Sequence, residues 1–95
     1  MRQDSAEDAR RYRKAAEQGD TEAQLSLGYL YFLGTGVEQN FVEAHMWFHL
    51  AVSTSSGESQ KRATEARDTV AEMMTRSQID EAERRAREWK VASAE

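Results

Sequence analysis

Neither cysteine nor proline occurs anywhere in the 95 residues of this chain. Without cysteine there can be no disulfide, no thiolate nucleophile, no iron–sulfur cluster and no cysteine-ligated zinc. Without proline nothing imposes a kink or a rigid turn on the backbone. Long apolar runs are missing too. None approaches the roughly 18 residues that a membrane-spanning helix needs, and mean hydropathy is −0.84. The segment Met1–Ala9 has no apolar core of the signal-peptide kind, which sets a cytoplasmic location as the expectation. Cations are in deficit rather than excess: the formal net charge is −4 and the pI is near 5.2. That balance argues against a general nucleic-acid binder. The length allows one small domain over residues 1–95.

What is present is helical punctuation. Ala6, Ala9, Tyr12 and Ala16 recur at helical spacing before Gly19. Asp20 is a good N-cap for a second stretch bearing Ala23, Leu27, Leu30 and Tyr31, which Gly34-Thr35-Gly36 then stops. Asn40 and Glu43 open a third helix, from Phe41 to about Val52. Ser53–Ser59 reads as a polar loop. A fourth stretch spaces Ala63, Ala66, Val70 and Met73 along one face, and a Thr75/Gln78 capping box opens a fifth with Ile79, Ala82, Ala86 and Trp89. No segment alternates with period two for a useful length, so the fold class is all-α with about five helices. Tyr12, Leu27, Leu30, Tyr31, Trp47, Phe48, Ile79 and Trp89 are the expected core anchors.

The pattern repeats itself. Ala9-x-x-Tyr12-x-x-x-Ala16 returns as Ala44-x-x-Trp47-x-x-x-Ala51, displaced by 35 residues. A two-helix unit of that length cannot bury its apolar face alone and must stack on a neighbour. The run Lys14-Ala15-Ala16-Glu17-Gln18-Gly19-Asp20, followed by Ala23-Gln24, Leu27-Gly28, Leu30-Tyr31, Gly34-x-Gly36-Val37 and Ala44-x-x-Trp47-Phe48, closely resembles the Sel1-like repeat. That family is a relative of the tetratricopeptide repeat. Arg67-Asp68 through Met74-Thr75, and Gln78-Ile79 to Trp89, are similar to the closing half-repeat of many bacterial Sel1-like proteins. The resemblance implies a short right-handed αα-superhelix, or solenoid, of antiparallel helix hairpins. One full repeat would occupy about 20–53, after a half-repeat helix at about 4–18 and before a degenerate hairpin at about 59–91. Independently, Gly28 in mid-helix costs about 1 kcal/mol against alanine, so close approach of a neighbouring helix is expected there. Gly34 and Gly36 are expected to need φ > 0.

Chemistry-bearing constellations are few. His45 and His49, four apart, share one helix face and could supply two metal ligands, with no third in view. The alternative is a pair of surface or groove-edge histidines beside Trp47 and Phe48. Ser53, Ser55, Ser56 and Ser59 lack the positioned base and oxyanion hole of a nucleophilic triad. Gly34-Thr35-Gly36 lacks the Lys-Ser/Thr of a phosphate loop. No catalytic residue and no cofactor site is therefore assigned, and the expectation is a protein that is not an enzyme. Arg10, Arg11, Arg13 and Lys14, like Arg84, Arg85, Arg87 and Lys90, follow acids on their helices, an order that complements the helix dipole. They are expected to form solvated, self-compensated faces.

The remaining signal is apolar. Leu25, Tyr29 and Phe32 form a second stripe, at spacings of four and three, on the helix that already carries Leu27 and Tyr31. In the register implied by the resemblance, Glu22, Leu25, Tyr29 and Phe32 face the concave groove. The expected function is a protein–protein interaction module or scaffold presenting that groove to a peptide or protein. A self-associating module is the alternative, and a histidine-based metal protein a lesser one. Between Ala15 and Gln60 there is no Lys or Arg, only Glu17, Asp20, Glu22, Glu38, Glu43 and Glu58 among charged groups. A partner with apolar and basic residues suits such a centre.

Overall fold

Three helices begin where a side chain satisfies an orphan backbone N–H. The Asp20 carboxylate accepts from the Ala23 N–H at 3.0 Å, and Asn40 Oδ1 from Glu43 N–H at the same distance. Thr75 and Gln78 cap each other's backbone reciprocally, at 2.9 and 3.1 Å. The chain, as a computed structural model describing residues 5–94, forms α1 (Ser5–Glu17), α2 (Thr21–Leu33), α3 (Phe41–Thr54), α4 (Gly57–Ala71) and α5 (Arg76–Ala94). Among the described residues there is no strand. Gly34, at φ 72°, closes α2 in the left-handed conformation and returns its N–H to the Leu30 carbonyl.

The polar segment after α3 is shorter than its composition suggested. Helix runs on through Thr54 and resumes at Gly57, which leaves only Ser55 and Ser56 between. The reason lies in the hydroxyls. Ser53 Oγ donates to the Leu50 carbonyl at 2.7 Å and Ser55 Oγ to that of Ala51 at 2.6 Å. Gln60 Nε2 donates back to the carbonyls of Val52 and Ser55, both at 3.1 Å. Those to Ala51 and Val52 satisfy carbonyls that the helix end leaves free. At the other end of α4 the helix stops at Ala71, so Met73 falls in the turn and is exposed rather than on the packing stripe.

α3 is the hub. It packs against α2, α4 and α5, while α1 packs on α2. The consecutive helices α4 and α5 both lie on α3 and hardly touch each other. Two apolar clusters follow from this arrangement. One gathers Ala16, Leu27, Met46, Trp47, Leu50 and Ala86 from α1, α2, α3 and α5. The other gathers Leu25, Ala44, Phe48, Ala51, Ala63 and Val70 from α2, α3 and α4. A helix wedged between two cores has to be apolar nearly all round, and the buried run of α3 from Ala44 to Phe48 is continuous.

Trp47, Phe48 and Leu27 are wholly buried, and Leu30, Tyr31 and Trp89 lie half-buried against the first cluster. Trp47 meets Trp89 edge to face, with centroids 5.3 Å apart. Two expected anchors fall outside. Tyr12 is 40% exposed, because Ala9 and Ala16 carry the packing face of α1 and the ring stands at its edge. Ile79 is half-buried and belongs to neither cluster. Conversely, Gln24 is buried although polar. Its amide donates to the Ala16 carbonyl at 3.1 Å and accepts from Thr54 Oγ1 at 3.0 Å, tying α1, α2 and α3 together.

Candidate functional site

α2 and α4 both lean on α3, yet leave space between themselves. The resulting groove holds about 330 Å³. Tyr29 and Phe32 of α2 form one wall, Arg62, Glu65, Ala66 and Thr69 of α4 the other, and Phe48 of α3 the floor. The floor depends on Gly28. A β-carbon there would overlap the Phe48 ring, so glycine is what lets the phenylalanine lie against α2. Tyr29 then stands on Phe48 edge to face at 5.0 Å and is still 45% exposed. Phe32 is held by Phe41, with centroids 5.8 Å apart, and its carbonyl accepts from Gln39 Nε2 at 2.9 Å.

Of the four residues assigned to the groove from sequence, the structure brings Tyr29 and Phe32 to it. Glu22 stands on the first turn of α2, 2.7 Å from Arg62 Nη2. Leu25 does not reach the surface. It is only 5% exposed and packs with Ala44, Phe48 and Val70 in the second cluster, because α3 and α4 close over that turn of α2. The α4 wall was not singled out from sequence. The signal existed: once Ala63, Ala66 and Val70 face inward, residues 62, 65 and 69 must lie beside them on the same helix.

The histidine pair sits elsewhere, on the side of α3 that faces α4 and α5. His45 is 2% exposed, so it is neither a surface nor a groove-edge residue. Its ring lies nearly parallel to that of His49, with centroids 6.3 Å apart. Burial is the main cause that lowers the His45 pKa to about 4, helped by His49 and Arg67 and opposed by Glu83 and Asp68. Burial also lowers that of His49, whose Nδ1 is 3.3 Å from Arg67 Nη1. Both rings are neutral near pH 7. Among the described residues, no three His, Asp or Glu side chains are grouped so as to hold a metal ion.

The basic clusters are largely self-compensated. Arg84 bonds Glu81 and Glu88, and Arg85 bonds Glu81. The two guanidiniums hold the Glu81 carboxyl down to about 2. Two arginines do more than this. Arg13 of α1 and Arg85 of α5 approach opposite oxygens of Glu43 on α3, at 4.0 and 3.2 Å. Arg13 also donates to the Tyr31 hydroxyl and lies over the rings of Tyr31 and Trp47, at 5.7 and 6.0 Å from their centroids.

Helices packed about a shared central one, α3, with a groove between α2 and α4, define an all-α solenoid fold. The Sel1 repeat family model matches residues 12–20 and 21–53. No curated protein sequence matches the chain. Among solved structures, the chain is similar to the crystal structure of c5321, described as a protective antigen present in uropathogenic Escherichia coli strains displaying an SLR fold. The two share 34% identity with a TM-score of 0.82, over 94% of this chain and 18% of that one. Both matches support a Sel1-like repeat protein. It spans under a fifth of the length of that relative. Sel1-like repeat proteins are in general protein-interaction modules.

Proposed function

We propose that this chain is a non-enzymatic protein-interaction module whose α2–α4 groove receives a peptide or protein segment. The observation that carries this reading is the exposed aromatic wall: Tyr29, half in solvent, stands on a wholly buried Phe48 ring. A rigid aromatic anchor loses little conformational freedom on binding, and such residues dominate interfaces. Tyr29 and Phe32 supply the apolar contact, Glu22 and Glu65 the acidic one. Leu25 acts from beneath, by holding Phe48 in place. A segment with both apolar and basic side chains fits a centre that has no Lys or Arg between Ala15 and Gln60.

The test is affinity capture from a bacterial lysate with wild type, Tyr29→Ala and Phe32→Ala in parallel, read by quantitative mass spectrometry. A partner lost from both variants, while their circular dichroism stays that of wild type, supports the groove. A partner retained equally by all three proteins rejects it.

A further inference from the structure

The walls of the groove are joined at their N-terminal ends by one ion pair. Glu22 on the first turn of α2 receives Arg62 of α4 at 2.7 Å, although the two helices otherwise barely meet. Arg62 is the one cation among the residues lining the groove. Composition explains why: α2 and α3 lie wholly within the segment that has neither Lys nor Arg, so those sides bring only carboxylates. Glu65, one helical turn beyond Arg62, lines the groove with no ion pair among the described residues. The side chains of Glu22 and Arg62 are 66% and 56% exposed. A pair so hydrated is held loosely and exchanges readily.

We infer that Arg62 is a built-in competitor for the basic group of the partner. In the free protein it occupies Glu22. A bound segment carrying lysine or arginine takes that carboxylate in its place, while its apolar side chains settle on Tyr29 and Phe32. The occupant is therefore an apolar and basic segment of another protein. An acidic segment would meet two carboxylates, Glu22 and Glu65, against the single cation Arg62. This inference rests on the groove reading above and adds its selectivity.

Fluorescence anisotropy with two labelled peptides tests it. Both carry the same leucine and phenylalanine pattern; one has lysine and the other glutamate at the remaining positions. The lysine peptide binds wild type, and Arg62→Ala binds it more tightly, by about two- to tenfold. Glu22→Gln binds it more weakly, and in the double variant the gain from Arg62→Ala disappears. An Arg62→Ala protein that binds the lysine peptide no better than wild type, or either protein preferring the glutamate peptide, overturns the inference. If Tyr29→Ala abolishes binding while Arg62→Ala changes nothing, the groove stands and the competitor falls. If neither peptide binds any of these proteins, both readings fall together.

Discussion

Gly28 and Phe48 are complementary: the aromatic ring lies where a β-carbon of residue 28 would be. This contact seats α3 against α2 and sets the floor of the groove. Gly28→Ala should gain the usual helix-propensity advantage of about 1 kcal/mol and still lose stability, because the ring has to move. Gly28→Leu should lose more, about 1–3 kcal/mol. Thermal denaturation of the two variants checks the order. An unchanged melting temperature for Gly28→Leu would contradict the packing described here.

Trp47 is wholly buried and has Trp89 at its edge, 5.3 Å away. Trp47→Ala should cost about 3–5 kcal/mol, close to the whole stability of a small domain. Trp89→Ala should cost less, since Trp89 is only half-buried. Urea titrations followed by circular dichroism should rank the variants in that order.

Glu43 holds Arg13 and Arg85 from two different helices. Glu43→Gln should therefore loosen α1 and α5 together. Both arginines are partly hydrated, so the loss should be about 1 kcal/mol or less. It should also shrink in high salt, where screening reaches within a few ångströms. A loss that persists undiminished in about 1 M NaCl, roughly seven times physiological ionic strength, would assign Glu43 a packing role instead.

His45 is neutral in the fold, with its pKa lowered to about 4 from the ordinary histidine value of 6.5. Above the unfolded value neither state holds the extra proton, and pH has no effect through this group. Between that value and about 4 the unfolded chain takes up a proton that the folded chain refuses, so stability falls as the pH falls. The slope approaches about 1.4 kcal/mol per unit at most. His45→Gln should flatten this part of the curve in melts between pH 7 and pH 4. Glu81 acts in a lower window: its depressed pKa, about 2, places its contribution above the ordinary carboxylate value of 4.5 and its loss as the pH falls from there.

Much of this molecule is legible in local sequence. The caps at Asp20, Asn40 and Thr75 and the stop at Gly34 act on residues three or four away, so their geometry follows from short spacings. Tyr29 and Phe32 reach the groove because the stripe they form is distinct from that of Leu27. Leu25 belongs to the same stripe and is nevertheless buried, since α3 and α4 cross over that turn and not over Tyr29. His45 reads as a surface residue until α4 and α5 are both laid on α3. The serine-rich stretch reads as a loop until its hydroxyls are seen to return to α3 carbonyls.

By itself the sequence determined that the chain is all helical, where α2, α3 and α5 begin and α2 ends, that the helices stack as repeats, and that the centre is acidic. These follow from periodicity, capping and composition, which act within one or two turns. Only the tertiary structure decided which members of an apolar stripe are covered and which charges meet across helices. The Glu22–Arg62 pair joins residues 40 apart in sequence and the Glu43–Arg85 pair residues 42 apart. Such contacts depend on the angles at which helices cross, and those angles come from side-chain fit between distant segments. The place of Phe48 against Gly28 is the clearest instance, and the groove depends on it.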